Sequence, residues 1–244
     1  VKRVSSKAYA ANEEQTLLKP GDYVTGLYEV NTLDTILMFT SLGRYLYVPV
    51  HVIPETKWKD LGKHITNIIQ IQPEEKIVAS FVYADKENNL IMFTKNGLVK
   101  RSVIKDFEVS RYTKAMTAIK LKEDDELVSV TKDLGKALCI SQTGYYLVFD
   151  SSEIPVVGIK ASGVKGINLK DDILISGISF DESDEYINIF TNHRTAKRIK
   201  ISDLSIGSRA KKGSTLMKKV KTVDYKILSA YKASAKDIIC IKAD

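Results

Sequence analysis

No run of about 18 apolar residues occurs in the chain, so no helix of it is long and apolar enough to span a bilayer. The first residues, VKRVSSKAYAANEEQ, lack the apolar stretch of a secretory signal, which leads us to expect a cytoplasmic protein without membrane contact. They also lack a leading Met and start in mid-pattern, so the chain reads as a fragment of something longer. Cysteine is nearly absent. Cys139 and Cys240 stand about 100 residues apart, at a repeat position where other copies carry Met38, Met92 and Ile189. That equivalence makes them small buried hydrophobes and argues against a disulfide or a metal pair. The three histidines, His51, His64 and His193, share no zinc-type spacing with Cys or acids. Missing too are a GxGxxG after a strand, a P-loop and a GxSxG elbow. Gly158 to Gly163 has the look of a phosphate loop but falls in the basic loop of a repeat. No enzyme, metal site or cofactor is expected of this chain by itself.

What is present is β-strand material, repeated. Apolar residues make up 44% of 244, ample for a core. Ile, Val, Leu, Tyr and Phe crowd the strand segments, and no convincing helical period exceeds two turns. ILMFTSLGRYLY (36–47) recurs as LIMFTKNGLVKR (90–101), ALCISQTGYYLV (137–148) and INIFTNHRTAKR (187–198). Each copy is two strands and a turn, with Gly43, Gly97 and Gly144 free to take positive φ; Arg194 breaks the pattern and predicts a turn built differently. Val1, Lys2 and Arg3 match Val99, Lys100 and Arg101, while residues 238–242 match the strand at 91–94 and its flanks, so the chain begins and ends inside repeats.

Equivalent positions 40, 94, 141, 191 and 242 lie 54, 47, 50 and 51 residues apart, a period fit for propeller-like blades. A large apolar residue follows each hairpin (Tyr9, Ile53, Phe107, Ile154, Leu204) and predicts a further strand there. A basic loop, another strand and an acidic turn such as Glu123, Asp124 and Asp125 complete the unit. The prediction is a single all-β domain over 1–244, with hairpin turns near 43, 97, 144 and 194. Its four-stranded blades number about five to six, and partial repeats at both ends either join into a ring or leave an open array.

The cations are patterned. Lys-Arg pairs close three copies (Lys2 and Arg3, Lys100 and Arg101, Lys197 and Arg198), where the others carry Leu46 and Tyr47 or Leu147 and Val148. Neighbours in a strand point to opposite faces, so at least one of each pair is expected in solvent. The following loops add Lys57, Lys63, Arg111, Lys114, Lys160, Lys165, Arg209, Lys211 and Lys212. From 194 to 221, Arg194, Lys200, Lys218, Lys219 and Lys221 join the cations already named there against Asp203 alone. Net charge is +7 and the isoelectric point about 9.1. Repeated around a disc, these positions predict a basic rim that attracts duplex phosphates through counterion release and bends the duplex. Trp58, between Lys57 and Lys59, is expected to be a packing anchor under its loop.

The MFTxxGxxxR-like hairpins, together with IPVVGIKASGVKGINL at 154–169, resemble the carboxy-terminal domain of the A subunit of bacterial type IIA topoisomerases, over essentially the whole chain. The glutamine-arginine-arginine-glycine-glycine-x-glycine box of gyrase is absent, its nearest stretch being Ser208 to Gly213, which favours the topoisomerase IV branch, in the style of a Gram-positive member. The resemblance implies a β-pinwheel whose blades exchange strands and whose basic rim binds and bends DNA without sequence specificity for strand passage. It also implies partners: duplex DNA at the nucleoid, the remainder of a homodimeric A chain with the strand-cutting tyrosine, and the separate ATPase chain with ATP and Mg. Two alternatives stand beside it, a gyrase-type wrapping domain and a protein-interaction propeller.

Overall fold

The computed structural model describes residues 1–12, 18–217 and 224–237. Apart from one short helix, α1 (Ser6–Ala10), and isolated 3-10 turns, the described residues form strands and connections. The first unit holds β1 (Thr35–Thr40), β2 (Arg44–Pro49) and β3 (Ile77–Val82). The second has β4 (Asn89–Thr94), β5 (Leu98–Val103), the two-residue β6 (Met116–Thr117) and β7 (Leu127–Lys132). The third has β8 (Lys136–Ser141), β9 (Tyr145–Asp150), the two-residue β10 (Val164–Lys165) and β11 (Leu174–Phe180). The fourth has β12 (Tyr186–Thr191), β13 (Ala196–Lys200), the two-residue β14 (Ser214–Thr215) and β15 (Ile227–Ala233).

These strands make three four-stranded sheets, β3-β1-β2-β6, β10-β5-β4-β7 and β11-β8-β9-β14, and one three-stranded sheet, β13-β12-β15. The outermost strand of each four-stranded sheet comes from the next unit along the chain, so the blades exchange strands. The all-β, propeller-like architecture with a period near 50 matches the sequence reading, and four of the expected blades lie within the described residues. Residues 238–242 and Cys240, which bear on ring closure and on the second thiol, lie outside the described residues, as do Lys218, Lys219 and Lys221.

The first strand of each hairpin is largely apolar on both faces because each face meets a different neighbour. Leu37 and Phe39 pack with Leu90 and Met92 of the second unit; Ile91 and Phe93 pack with Ala137 and Cys139 of the third; Leu138 and Ile140 pack with Ile187 and Ile189 of the fourth. Cys139 is a fully buried member of one such layer, with a thiol that burial pushes far above its usual pKa. The structural reading of Cys139 therefore holds.

Two local expectations need correcting. The apolar residue after each hairpin does not start a strand: Phe107 lies in a one-turn 3-10 helix, and Ile53, Ile154 and Leu204 cap equivalent turns. A short helical turn drops one side chain into the inter-blade layer and reverses the chain in fewer residues than a strand would. The turn at Arg194 is not built differently either. Its φ is +56°, and its N–H bonds Thr191 O at 3.1 Å, as Gly97 bonds Thr94 O at 2.9 Å with φ of +77°. Arg194 therefore adopts the glycine conformation at a steric cost.

The acidic turns serve these hairpin turns. Asp125 accepts from Asn96 N at 2.9 Å, and Asp172 from Thr143 Oγ1 at 2.5 Å. Glu75, buried, accepts from Arg44 Nε at 2.9 Å and from Thr40 Oγ1. Burial alone would raise its pKa, but the hydrogen bonds from Arg44 and Thr40 bring it below the usual value.

Candidate nucleic-acid interface

Between each hairpin and the following inner strand the chain crosses onto the preceding blade. Four such segments, about 56–63, 109–117, 157–166 and 206–215, run against residues 1–3, β2, β5 and β9. Close approach sets their sequence. A Cβ on Gly62 would sit 2.6 Å from Val1 O, one on Gly163 2.9 Å from Val99 O, and one on Gly213 1.9 Å from Tyr146 O. Three of the four segments thus use glycine where one backbone lies on another, while 109–117 carries Ala115 at that position.

Successive crossing segments, or the residues that follow them in the chain, are bonded in series. Gln70 bridges Lys114; Lys120 N donates to Ala161 O at 3.1 Å; Ala210 N donates to Gly166 O at 2.7 Å, and Asn168 N to Lys211 O at 2.9 Å. One continuous band of backbone thus links all four units.

Eight of the sequence-predicted cations stand on this band with exposed side chains: Lys57, Lys63, Arg111, Lys114, Lys160, Lys165, Lys211 and Lys212. None of the eight is in an ion pair among the described residues, whereas Lys86, Lys95, Lys105, Lys132 and Lys136 elsewhere each meet a carboxylate. Lys212 lies 4.4 Å over the Tyr145 ring. Lys59 and Lys120, exposed on the same band, fall outside the predicted set; their position beside a crossing glycine or a two-residue strand is the available signal. Trp58 packs edge-on against Tyr9, 5.6 Å between centroids, which is the anchor role expected of it. Arg209 is different: it is half-buried, with Nε on Glu153 O at 3.1 Å and Nη1 on Lys165 O at 2.5 Å, and ties one crossing segment to the next. Arg194 is exposed but belongs to a hairpin turn, off the band.

The pair Lys100 and Arg101 is the chief correction. Lys100 is 1% exposed, and its ammonium bonds Ala118 O at 2.6 Å and Ile159 O at 2.8 Å. Its neighbour Arg101 is ion-paired at 3.1 Å with Asp133, the two side chains being 16% and 10% exposed. The pair therefore does not offer a free cation to solvent. Lys2 bonds Trp58 O and, at 2.7 Å, Asp60 O, while Arg3 meets Ile53 O at 3.0 Å and Glu55 at 3.4 Å. In the fourth unit Lys197 and Arg198 are both exposed, as expected of such a pair, with Lys197 bonding Leu216 O at 2.9 Å and Arg198 5.2 Å over the Tyr186 ring. The reason is visible at the equivalent positions: Leu46 and Leu147 are buried there. This strand position faces the inter-blade layer, and Lys fills it by laying its stem in the layer and its ammonium on backbone carbonyls. Burial lowers the pKa of Lys100 from 10.5 to about 8, against a weaker opposing pull from Asp106.

Among the described residues no three His, Cys, Asp or Glu side chains cluster as metal ligands, and no helix is long and apolar enough to cross a membrane.

A disc of strand-exchanged blades edged by crossing segments defines the class. The model of the DNA gyrase C-terminal domain, beta-propeller, matches residues 34–83, 88–132, 136–179 and 185–230, and the chain belongs to that family. Within it, similarity falls on the topoisomerase IV side. The chain is 38% identical over 237 residues to the A subunit of DNA topoisomerase 4 from Bacillus subtilis (strain 168), and 36% identical over 239 residues to that from Staphylococcus aureus (strain MRSA252). These matches cover 95% of this chain but span only 29% and 30% of those proteins. A crystal structure of the C-terminal domain of DNA topoisomerase IV superposes with a TM-score of 0.89 at 37% identity, covering 96% of this chain and 74% of that one. A DNA gyrase A C-terminal domain, at 23% identity and a TM-score of 0.67 over 96% of this chain and 79% of that one, shares the fold.

Proposed function

We propose that this chain is the accessory DNA-binding domain of a topoisomerase IV A subunit. Its crossing band holds duplex DNA by the phosphates, bends it, and presents it to the rest of the enzyme for relaxation and decatenation. The supporting observation is the set of eight exposed cations, without ion pairs among the described residues, on four segments joined in series. Contacts of this kind carry no base information, so binding is indifferent to sequence. Bending a site of 20–30 base pairs costs about 1–6 kcal/mol, which several phosphate contacts offset. Strand cleavage, ATP and Mg, the second A chain of the homodimer and the ATPase chain belong to other parts of the whole enzyme, and we assign no reaction and no cofactor to this domain. Similarity to topoisomerase IV relatives, with no gyrase-type box in the sequence, favours this reading over a gyrase-type wrapping domain.

Fluorescence anisotropy on a plain duplex across a salt series tests it. If all eight cations meet phosphates at once, log affinity falls against log salt with a slope of about −7. Replacing Lys160, Lys165, Lys211 and Lys212 together by Ala lowers that slope by about half and weakens binding to every sequence alike. No binding at low salt, or loss confined to one sequence, overturns the reading.

A further inference from the structure

Lys2, half-buried, and Lys100, buried, stand at one repeat position and reach the same place in the next unit. Val157 N donates to Arg101 O at 2.9 Å as Thr56 N does to Arg3 O at 2.9 Å, which makes Ile159 the equivalent of Trp58. Lys100 bonds the carbonyl of the first and Lys2 that of the second. Segments 56–63 and 157–165 are therefore each fastened by an ammonium from the preceding unit. Lys100 also bonds Ala118 O, next to β6, which pairs with β2 of the first unit, so one side chain ties three consecutive units. Segment 206–215 is fastened through Arg209, and segment 109–117 crosses over buried Leu46 without an ammonium beneath it.

We propose that Lys2 and Lys100 are positioning residues for the band. Each fixes the crossing segment that carries Lys57 and Lys63 or Lys160 and Lys165, so that these side chains meet successive phosphates together without ordering their loop first. The proposal rests on the DNA-binding reading above. Preorganisation of this kind raises affinity by lowering the ordering cost of binding.

The test compares the chain with Lys100→Leu, the residue the repeat itself uses at positions 46 and 147, and with Lys76→Ala, which removes an equal charge from an exposed site off the band. Anisotropy on a plain duplex should give, for Lys100→Leu, a drop of about fivefold to tenfold in affinity. Its salt slope should be shallower by about 2, the share of Lys160 and Lys165. Lys76→Ala should keep the slope. Hydrogen exchange should quicken at the amides of Val157 and Gly166 and stay unchanged in β11 and β12. A folded Lys100→Leu with unaltered slope and exchange overturns the positioning role. If the unaltered chain binds no DNA, the reading of the band fails, and exchange alone decides whether Lys100 fixes the segment. Should Lys100→Leu fail to fold, Lys2→Leu puts the same question to segment 56–63.

Discussion

Replacing Lys100 by Leu also makes a thermodynamic experiment with a determined sign. The folded protein holds this lysine with a pKa of about 8 against 10.5 for an ordinary lysine. Between those values the unfolded chain binds more protons than the folded one, so folding stability contributed by this group rises with pH. Below pH 8 the charged form is carried into the layer in full, at a cost of about 3 kcal/mol relative to a neutral group, from about 1.4 kcal/mol per unit of pKa. Leu removes that cost but leaves Ala118 O and Ile159 O without their donor, which costs about 1–3 kcal/mol each where water does not replace it. At pH 7 the two effects largely offset, and the variant is expected to be close to the parent or moderately less stable. At pH 9.5 about 2 kcal/mol of the parent's penalty has been relieved, so the variant's deficit widens by that amount. Urea unfolding followed by circular dichroism at the two pH values, with both proteins at each, isolates this difference from every other titrating group. A gap that stays constant, or narrows, would mean that Lys100 carries its charge at no cost, and the account of this position would be wrong.

Two further substitutions probe the layers and turns. A Cβ on Gly177 would lie 2.0 Å from Cγ of buried Phe93, so Gly177→Ala should destabilise by about 1–3 kcal/mol in the same urea assay; a loss under about 0.5 kcal/mol would show that β11 can shift off the ring. Arg194 occupies a left-handed conformation that glycine takes without strain, so Arg194→Gly should raise stability by about 1 kcal/mol, and a fall in midpoint would locate an unrecognised role for its side chain.

The repeat is legible because its signals are local and redundant. Turn glycines, paired strands and a fixed acidic turn recur in step, and each is tied to one backbone requirement. Strand exchange is not legible from those signals. The crossing strands β6, β10 and β14 are two residues each, too short for an alternation pattern, and the glycines that permit their approach look in sequence like ordinary loop residues. The loop after each hairpin is evident in the sequence, but the 3-10 turns at Ile53, Phe107, Ile154 and Leu204 pass for strands there because a single apolar residue has no period.

The Lys-Arg pairs mislead for a more general reason. A cation in a strand is expected to seek water, and its recurrence looks like the mark of a shared ligand. The repeat holds the contrary evidence: where Lys2, Lys100 and Lys197 stand, the other copies carry Leu46 and Leu147, and leucine twice at a position marks a buried one. Lysine can share that site because its four-carbon stem is as apolar as leucine and its ammonium can satisfy carbonyls that the crossing segment leaves unpaired. Some loop cations also exchange with apolar residues, as Lys212 does with Leu61, but Leu61 is itself exposed. Exchange within a repeat thus has to be read with what covers the position: leucine and lysine share the covered strand position that fastens the blades, whereas on the band Leu61 and Lys212 alike stay in solvent.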